Sequence, residues 1–186
     1  DIFSFSLPDG RSGKFFLATD TTWKVISDHN FHIVFDITDT TNYLNPPFSE
    51  VPGSEGQQIY EKTIEGFKIL DDMGNQYTFG FHSEAIEYSL PFFSQTHDQP
   101  FYPNWMANTW YLTEIKDYLG NNAYSLSYQR DYFTGQLTHG PLVRNFECRL
   151  ANGNWLNPTN AVSPEYSGSL ISPVYLSAIT NIEGQS

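Results

Sequence analysis

The sequence predicts an all-β protein of antiparallel sheets built from successive hairpins, arranged like a β-sandwich and joined by long aromatic and proline-rich loops. Aromatic residues make up 17% of the chain, together with 13 glycines and 11 prolines, a composition that favours strands and turns over helices. Short apolar runs with a period of two recur along the chain, and clusters of turn residues separate them. No segment has helical periodicity beyond one short turn near 103–107.

The segment 110–128 shows this pattern most clearly. Its first strand is predicted over 110–115. In the second strand Tyr124, Leu126 and Tyr128 alternate with serines, which puts the three larger side chains on one face. Glycine and asparagine tolerate the positive φ that a tight hairpin turn requires, and aspartate bonds nearby backbone groups. The residues that predict the turn are Asp117, Gly120 and Asn121.

The same hairpin pattern occurs twice more. The segment 67–81 carries Asp71, Gly74 and Asn75 at the corresponding places, whereas 175–185 repeats only the first strand and its turn. A strand without a returning partner would leave backbone groups unpaired at a sheet edge. We therefore expect the chain to be a piece of a longer protein, with the remainder of that protein as its first partner.

The other predicted elements follow in chain order within a single β-rich module over 1–186. The loop 38–58 is the place where a sub-boundary within this module would fall. Loops of this length are either functional or mobile. The remaining strands are predicted at 2–7, 13–17, 23–26, 31–37, 59–64, 67–70, 77–81, 85–88 and 142–150, with turns at 131–135 and 151–154 and with long loops at 38–58, 91–108 and 157–173.

The charge of the chain limits the partners it can bind. Nine basic side chains stand against 21 acidic ones, a formal net charge of −12, so nucleic acid and anionic membrane surfaces would be repelled. No apolar run approaches the roughly 18 residues of a spanning helix, so no transmembrane segment is predicted. Neutral glycans, cations and protein surfaces remain open as partners.

No motif predicts a metal, a cofactor or a nucleophile. His29 and His32 provide two imidazoles, but a divalent site needs three or four convergent ligands. The acids at Asp71 and Asp117 fit turn chemistry and not a calcium loop. Cys148, the only cysteine, excludes an internal disulfide, and its alternating surroundings predict a buried, inert thiol. We predict no cofactor and no metal site.

Carboxylates for glycoside hydrolysis are available but not specific. Glu84, Glu87 and Glu114 could supply the required pair, whose separation of about 5 to 9 Å is not determined by sequence. Such pairs are common in a chain with 21 acidic residues. We assign no catalytic residue and predict that the protein is not an enzyme.

The aromatic loop at 92–110 is the best candidate binding surface in the sequence. Tyr102, Trp105 and Trp110 could form a platform on which sugar rings stack or proteins bind. The alternative is that these rings close the open end of a β core, since aromatic residues are usually buried.

Three phrases in the same order resemble a known family. The phrases at 5–16, 67–80 and 108–117 resemble the region ahead of the repeats in Rhs/YD-repeat proteins of Bacteroidetes. The resemblance implies a secreted or surface-attached β-rich module in front of a larger β-shell, with no catalytic residues to carry over. The chain departs from the family in lacking the repeats and any toxin-like tail.

These observations leave two functional hypotheses. The first is a non-enzymatic extracellular β-module, secreted or on the outer cell surface after removal of a targeting segment, that serves as a structural lead-in or interaction platform of a longer Rhs/YD-repeat-like protein. The second is a carbohydrate-binding module or glycan-active enzyme that uses Tyr102, Trp105 and Trp110.

Overall fold

The computed structural model describes residues 2–35, 43–44, 63–94, 105–139, 148–149, 155–156 and 166–181. These residues form seventeen strands and one 3₁₀ turn at Ser83–Ala85, and every strand pairing among them is antiparallel. The predicted all-β, antiparallel fold class is confirmed. The strands are β1 Ile2–Ser6, β2 Ser12–Leu17, β3 Trp23–Ile26, β4 Phe31–Val34, β5 Tyr43–Leu44, β6 Thr63–Ile64, β7 Gly66–Asp71, β8 Gln76–Gly80, β9 Ile86–Ser94, β10 Met106–Trp110, β11 Leu112–Lys116, β12 Asn122–Arg130, β13 Thr134–His139, β14 Cys148–Arg149, β15 Trp155–Leu156, β16 Tyr166–Ser172 and β17 Val174–Asn181.

Three sheets make up most of the described structure. The large sheet has six strands in the order β17-β12-β11-β8-β7-β4, the corner sheet has the order β10-β9-β16-β13, and the cover sheet has the order β1-β2-β3. Two short pairs, β5–β6 and β14–β15, complete the described strands. Within these ranges no helix has the length and apolarity needed to cross a bilayer.

Within the described residues, the chain passes four times between the large sheet and the corner sheet. The passages are β8 to β9 through the 3₁₀ turn, β10 to β11 at Tyr111, β12 to β13 through 131–133, and β16 to β17 at Pro173. The Tyr111 amide donates to the Ala85 carbonyl at 2.8 Å. This hydrogen bond joins the β10–β11 passage to the β8–β9 passage. The two sheets therefore meet along a shared corner.

The main core lies between the cover sheet and the large sheet and is dominated by aromatic rings, which pack mostly edge-on or tilted against one another. Phe15 and Phe67 are each 3% exposed and their ring centroids lie 5.0 Å apart in an edge-on contact. Full burial of a phenylalanine contributes about 1.5 to 3 kcal/mol, so the aromatic-rich sequence provides the stability of this layer. The buried members are Phe5, Leu7, Phe15, Ile33, Phe67, Ile69 and Tyr77.

A second core lies on the corner sheet. Ile86, Tyr88 and Leu90 alternate along β9 and are each fully buried, and Trp105 packs with them. This burial raises the pKa of the Tyr88 hydroxyl to about 12, because an ionised phenolate loses its hydration there. The alternation predicted for the strand 85–88 thus continues to residue 90.

Four five-residue turns share one backbone geometry. In each, the first residue's N–H donates to the fifth residue's carbonyl, and the fourth residue's N–H donates to the first residue's carbonyl. The fourth residue has positive φ: Gly10 87°, Thr21 62°, Gly74 84° and Gly120 84°. The turns span 7–11, 18–22, 71–75 and 117–121, so both turns predicted from aspartate, glycine and asparagine are confirmed.

Thr21 occupies the fourth position of its turn, where the other three turns have glycine. A β-branched residue pays a steric penalty in the left-handed region that glycine avoids, although glycine gains entropy in the unfolded chain. We expect Thr21→Gly to raise the free energy of unfolding by about 0.5 kcal/mol, measured by urea denaturation. Thr19→Gly, in the same exposed turn but without positive φ, should instead lower it; equal effects of the two changes would contradict this explanation.

Two predicted irregular segments are wrong because they contain strands. The predicted loop 157–173 includes β16, which pairs with β9 on one side and with β13 on the other. The predicted turn 131–135 overlaps the start of β13. Glycine and serine give β16 little intrinsic strand preference, and pairing on both sides overrides that composition.

The connection predicted over 91–108 is also wrong at both ends, because strands extend into it from each side. Strand β9 continues through Pro91 to Ser94, and β10 begins at Met106. Proline is tolerated here because Pro91 lies opposite Ser169, where the register of β16 shifts and a ladder donor is not required. The helical turn considered near 103–107 is a strand from Met106 onward.

The strand at the end of the described chain has a partner. Strand β17 pairs with β12 along its length, from Val174 opposite Arg130 to Asn181 opposite Tyr124. The expectation that this strand lacks a partner is therefore wrong, although β17 does lie at the edge of the described large sheet. The predictions for 36–42, 45–62, 95–104, 140–147, 150–154 and 157–165, and for the turn of the third hairpin at 182–185, lie outside the described residues.

Candidate functional site

The predicted aromatic platform does not form one exposed surface. Trp105 is 3% exposed and stacks on Phe133 at a centroid distance of 5.4 Å. Trp110 is half-buried, and its indole N–H donates to the Ile64 carbonyl at 2.8 Å. Tyr102 lies outside the described residues. The two tryptophans lie in the core, which agrees with the alternative that these rings close a β core.

The acidic side chains considered from sequence fall in different places. Glu87 accepts a hydrogen bond from the Tyr111 hydroxyl at 3.4 Å, and Glu114 lies 3.0 Å from the Lys116 ammonium. Glu84 is exposed, and hydrogen bonds from its own backbone N–H and from Ser83 hold the pKa of its carboxyl below the ordinary value. Of these acids, Glu84 and Glu114 line one cleft.

This cleft lies on the outer face of the large sheet, the face turned away from the main core. Residues directly opposite in register share a face. Lys68 pairs with Thr78, Thr78 with Glu114, and Glu114 with Ser125, so four adjacent strands present a row of polar side chains. The neighbouring residues on these strands point to the opposite face: Phe67, before Lys68, and Tyr77, before Thr78, belong to the core.

One end of the cleft is closed by the segment that leaves β8. Gly80 and Phe81 both have positive φ, at 80° and 63°. Their amides donate to the Tyr111 and Glu65 carbonyls. A Cβ on Gly66 would lie 2.7 Å from the Phe81 ring, so the ring covers the glycine. His82, just before the 3₁₀ turn, and Glu84 within it also line the cleft, which has a volume of about 540 Å³.

The inner face of the large sheet is covered only in part. One cross-strand row runs through Ile33, Ile69, Tyr77, Ile115 and Tyr124. The first three are 3%, 1% and 7% exposed, whereas Tyr124 is 47% exposed. The cover sheet therefore ends before β12, and apolar side chains beyond it face solvent.

We call this exposed part of the inner face the apolar strip, and it consists of Tyr124, Leu176 and Ile179. Leu176 lies opposite Tyr128 and Ile179 opposite Leu126, which places them on the face of the core. Leu176 and Ile179 are each 49% exposed. A groove of about 1040 Å³ adjoins the edge of the cover sheet on the same face, lined by Ile2, Phe3, Phe67, Trp110, Leu112 and Tyr128 among others.

Arg11 joins the cover sheet to the large sheet through a buried carboxylate. Its Nη2 lies 2.7 Å from Asp71 Oδ2 and 3.1 Å from the Tyr77 hydroxyl oxygen. Burial raises the pKa of the Asp71 carboxyl, but hydrogen bonds from Arg11 and from the 71–75 turn outweigh it and leave the pKa below its ordinary value. The bond to Asp71 in turn raises the pKa of Arg11. Both charges stabilise the contact between the two sheets.

The metal-ligand types considered from sequence do not converge in the described structure. His29 lies in a turn and His32 on β4, and both are exposed. Among the described side chains, no group of three or more histidines, cysteines and acids could hold an ion. The side chain of Cys148 lies outside those described.

Comparison with family models, with curated proteins and with solved structures finds no match to this chain. The resemblance to Rhs/YD-repeat proteins therefore stays a prediction.

Proposed function

We propose that the chain is a non-enzymatic, extracellular β-module that serves as an interaction platform and structural lead-in of a longer Rhs/YD-repeat-like surface protein. The observation that carries this proposal is the apolar strip of Tyr124, Leu176 and Ile179. The strip continues the apolar face of the large sheet beyond its cover. The partner is the remainder of the longer chain, placed over β12 and β17.

The strip supports the proposal because grouped, half-exposed apolar side chains on one sheet face are typical of interaction surfaces. Burying the exposed part of each side chain would contribute about 1 kcal/mol. On the outer face of the same strands, Ser125 lies opposite Thr180. The strip is therefore the apolar side of an amphipathic part of the sheet. A second β-layer fits such a face.

The lowered pKa of Glu84 and the hydrogen-bonded carboxylate of Asp71 favour a binding role over hydrolysis. A general acid in glycoside hydrolysis needs a raised pKa, whereas the pKa of Glu84 is lowered by hydrogen bonds from its own backbone N–H and Ser83. The buried carboxylate, Asp71, is already bonded to Arg11. Neither group is suited to donate a proton at neutral pH.

Hydroxyl-radical footprinting tests the proposal on the isolated chain and on the native protein purified from its source. We expect oxidation of Tyr124, Leu176 and Ile179 to fall at least threefold in the native protein, because the second layer excludes solvent. Ile26, which is 62% exposed on the cover sheet, provides the internal control and should be oxidised equally in both samples. Equal oxidation of the strip in the two samples would refute its role as a platform.

A further inference from the structure

We propose that the cleft on the outer face of the large sheet is a binding site for a small neutral saccharide. The site is formed by Lys68, Phe81, Glu84, Glu114, Ser125 and Ser127. It is separate from the apolar strip, which lies on the opposite face of the same sheet. The inference is independent of the proposed platform function.

The donors and acceptors in the cleft match the groups on a sugar. Each sugar hydroxyl both donates and accepts, so it is best bound by hydroxyls together with charged acceptors and donors. Ser125 and Ser127 are exposed on β12, and Glu114 lies beside Ser125. Lys68 adds a donor from β7. The polar row therefore presents hydroxyl, carboxylate and ammonium groups on a rigid, hydrogen-bonded floor.

Phe81 supplies the apolar surface that sugar recognition commonly uses. Aromatic rings pack against the C–H groups of a pyranose, and the Phe81 ring lies at the end of the polar row with Lys68 Nζ 5.6 Å from its centroid. The residue has a φ of 63°, a conformation that costs a non-glycine residue about 1 to 3 kcal/mol. Such strain is concentrated at functional sites, and here it directs the ring across the outer face.

Charge and size narrow the ligand class. Two carboxylates and one ammonium line the cleft, and the chain carries a net charge of −12, so an anionic ligand would be repelled. The two carboxylates are too few for an all-protein cation site, and Lys68 on the same floor opposes one. A volume of about 540 Å³ falls within the range of small-molecule sites, which suits a monosaccharide or disaccharide.

Saturation-transfer NMR with six saccharides tests the inference on the full chain. The probes are glucose, galactose, mannose, cellobiose, maltose and N,N′-diacetylchitobiose, each at about 10 mM, a concentration that detects the millimolar affinity expected of a shallow site. We expect transfer to at least one probe and shifts of the Ser125 and Ser127 amides on its addition. No transfer to any of the six overturns the proposal.

Phe81→Gly is the most informative variant because glycine accepts the left-handed conformation and removes the ring. We expect at least tenfold weaker binding of the best probe without loss of the folded state, checked by the circular dichroism spectrum and the urea midpoint. Glu114→Gln should weaken binding at least threefold. It provides the test of the site if Phe81→Gly unfolds. The control, Tyr118→Ala, removes a 70% exposed ring in the 117–121 turn and should bind normally. Undiminished binding by both cleft variants overturns the location of the site.

Discussion

Replacing Arg130 with methionine is expected to lower the free energy of unfolding by about 4 kcal/mol, since several buried acceptors lose a charged donor at once. Nη1 donates to the Ser172 hydroxyl at 2.8 Å and to its carbonyl at 3.2 Å. Nη2 donates to the Ile86 carbonyl at 2.8 Å and also to the Ser83 carbonyl. Ser172 and Ile86 are fully buried, so water cannot replace the lost donors.

The position of Arg130 explains the size of this effect. The guanidinium lies where β12, the end of β16 and the 3₁₀ turn meet, with Cζ 5.3 Å from the centroid of the Tyr88 ring. Burial lowers the pKa of Arg130, while nearby Tyr88 and Glu84 act in the opposite direction. The side chain thus holds together three of the segments that pass between the large and corner sheets.

Urea denaturation of three variants separates these contributions. Arg130→Lys keeps the charge but loses the two-pronged donor geometry, so its loss of stability should be intermediate. Lys24→Met provides the control, because Lys24 is half-exposed and its contact with Asp20 is at the surface, where ion pairs contribute little. If Arg130→Met and Lys24→Met lose equal stability, the corner does not depend on this residue.

The turns were predictable from sequence because their chemistry is local. Aspartate, glycine and asparagine at fixed offsets specify the 71–75 and 117–121 turns, and in both the aspartate Oδ1 accepts the N–H of the fifth residue, at 2.8 and 2.9 Å. Thr21 shows the limit of this pattern, since the same backbone turn forms there without glycine. The alternation of apolar and polar side chains along a single strand was predictable for the same reason, because it too is a local property of the sequence.

The cleft and the apolar strip were not predictable because they depend on strand order. Lys68, Thr78 and Ser125 alternate with core residues on separate strands, and only the order β12-β11-β8-β7 makes them one polar row. The burial of Trp105 likewise depends on the sequence-distant Phe133 ring. The one local signal that could have indicated the cleft is the Gly80-Phe81 pair after a strand, which sequence alone does not distinguish from an ordinary strand end.

Asp71→Asn is expected to lower the free energy of unfolding at pH 7 by about 3 kcal/mol, since it removes one partner of a buried ion pair. The Asp71 side chain is 0% exposed and lies 2.7 Å from Arg11 Nη2. Asp117→Asn is the matched control, because Asp117 makes the same turn bonds to the residues two and four positions ahead but lies in an exposed turn away from Arg11. Its effect should be small, so the difference between the two variants isolates the ion pair.

The dependence on pH distinguishes this ion pair from a simple packing effect. The pKa of Asp71 is lower in the folded protein than its ordinary value, so its charge stabilises the fold fully above the unfolded value of about 3.9 and progressively less as pH falls through the folded pKa. The stability difference between the wild-type protein and Asp71→Asn should therefore be constant from about pH 5 to 7 and shrink below about pH 4. A difference that stays constant down to about pH 2 would mean that Asp71 acts through its shape and hydrogen bonds alone, and that the Arg11 charge does not hold the cover sheet on the large sheet.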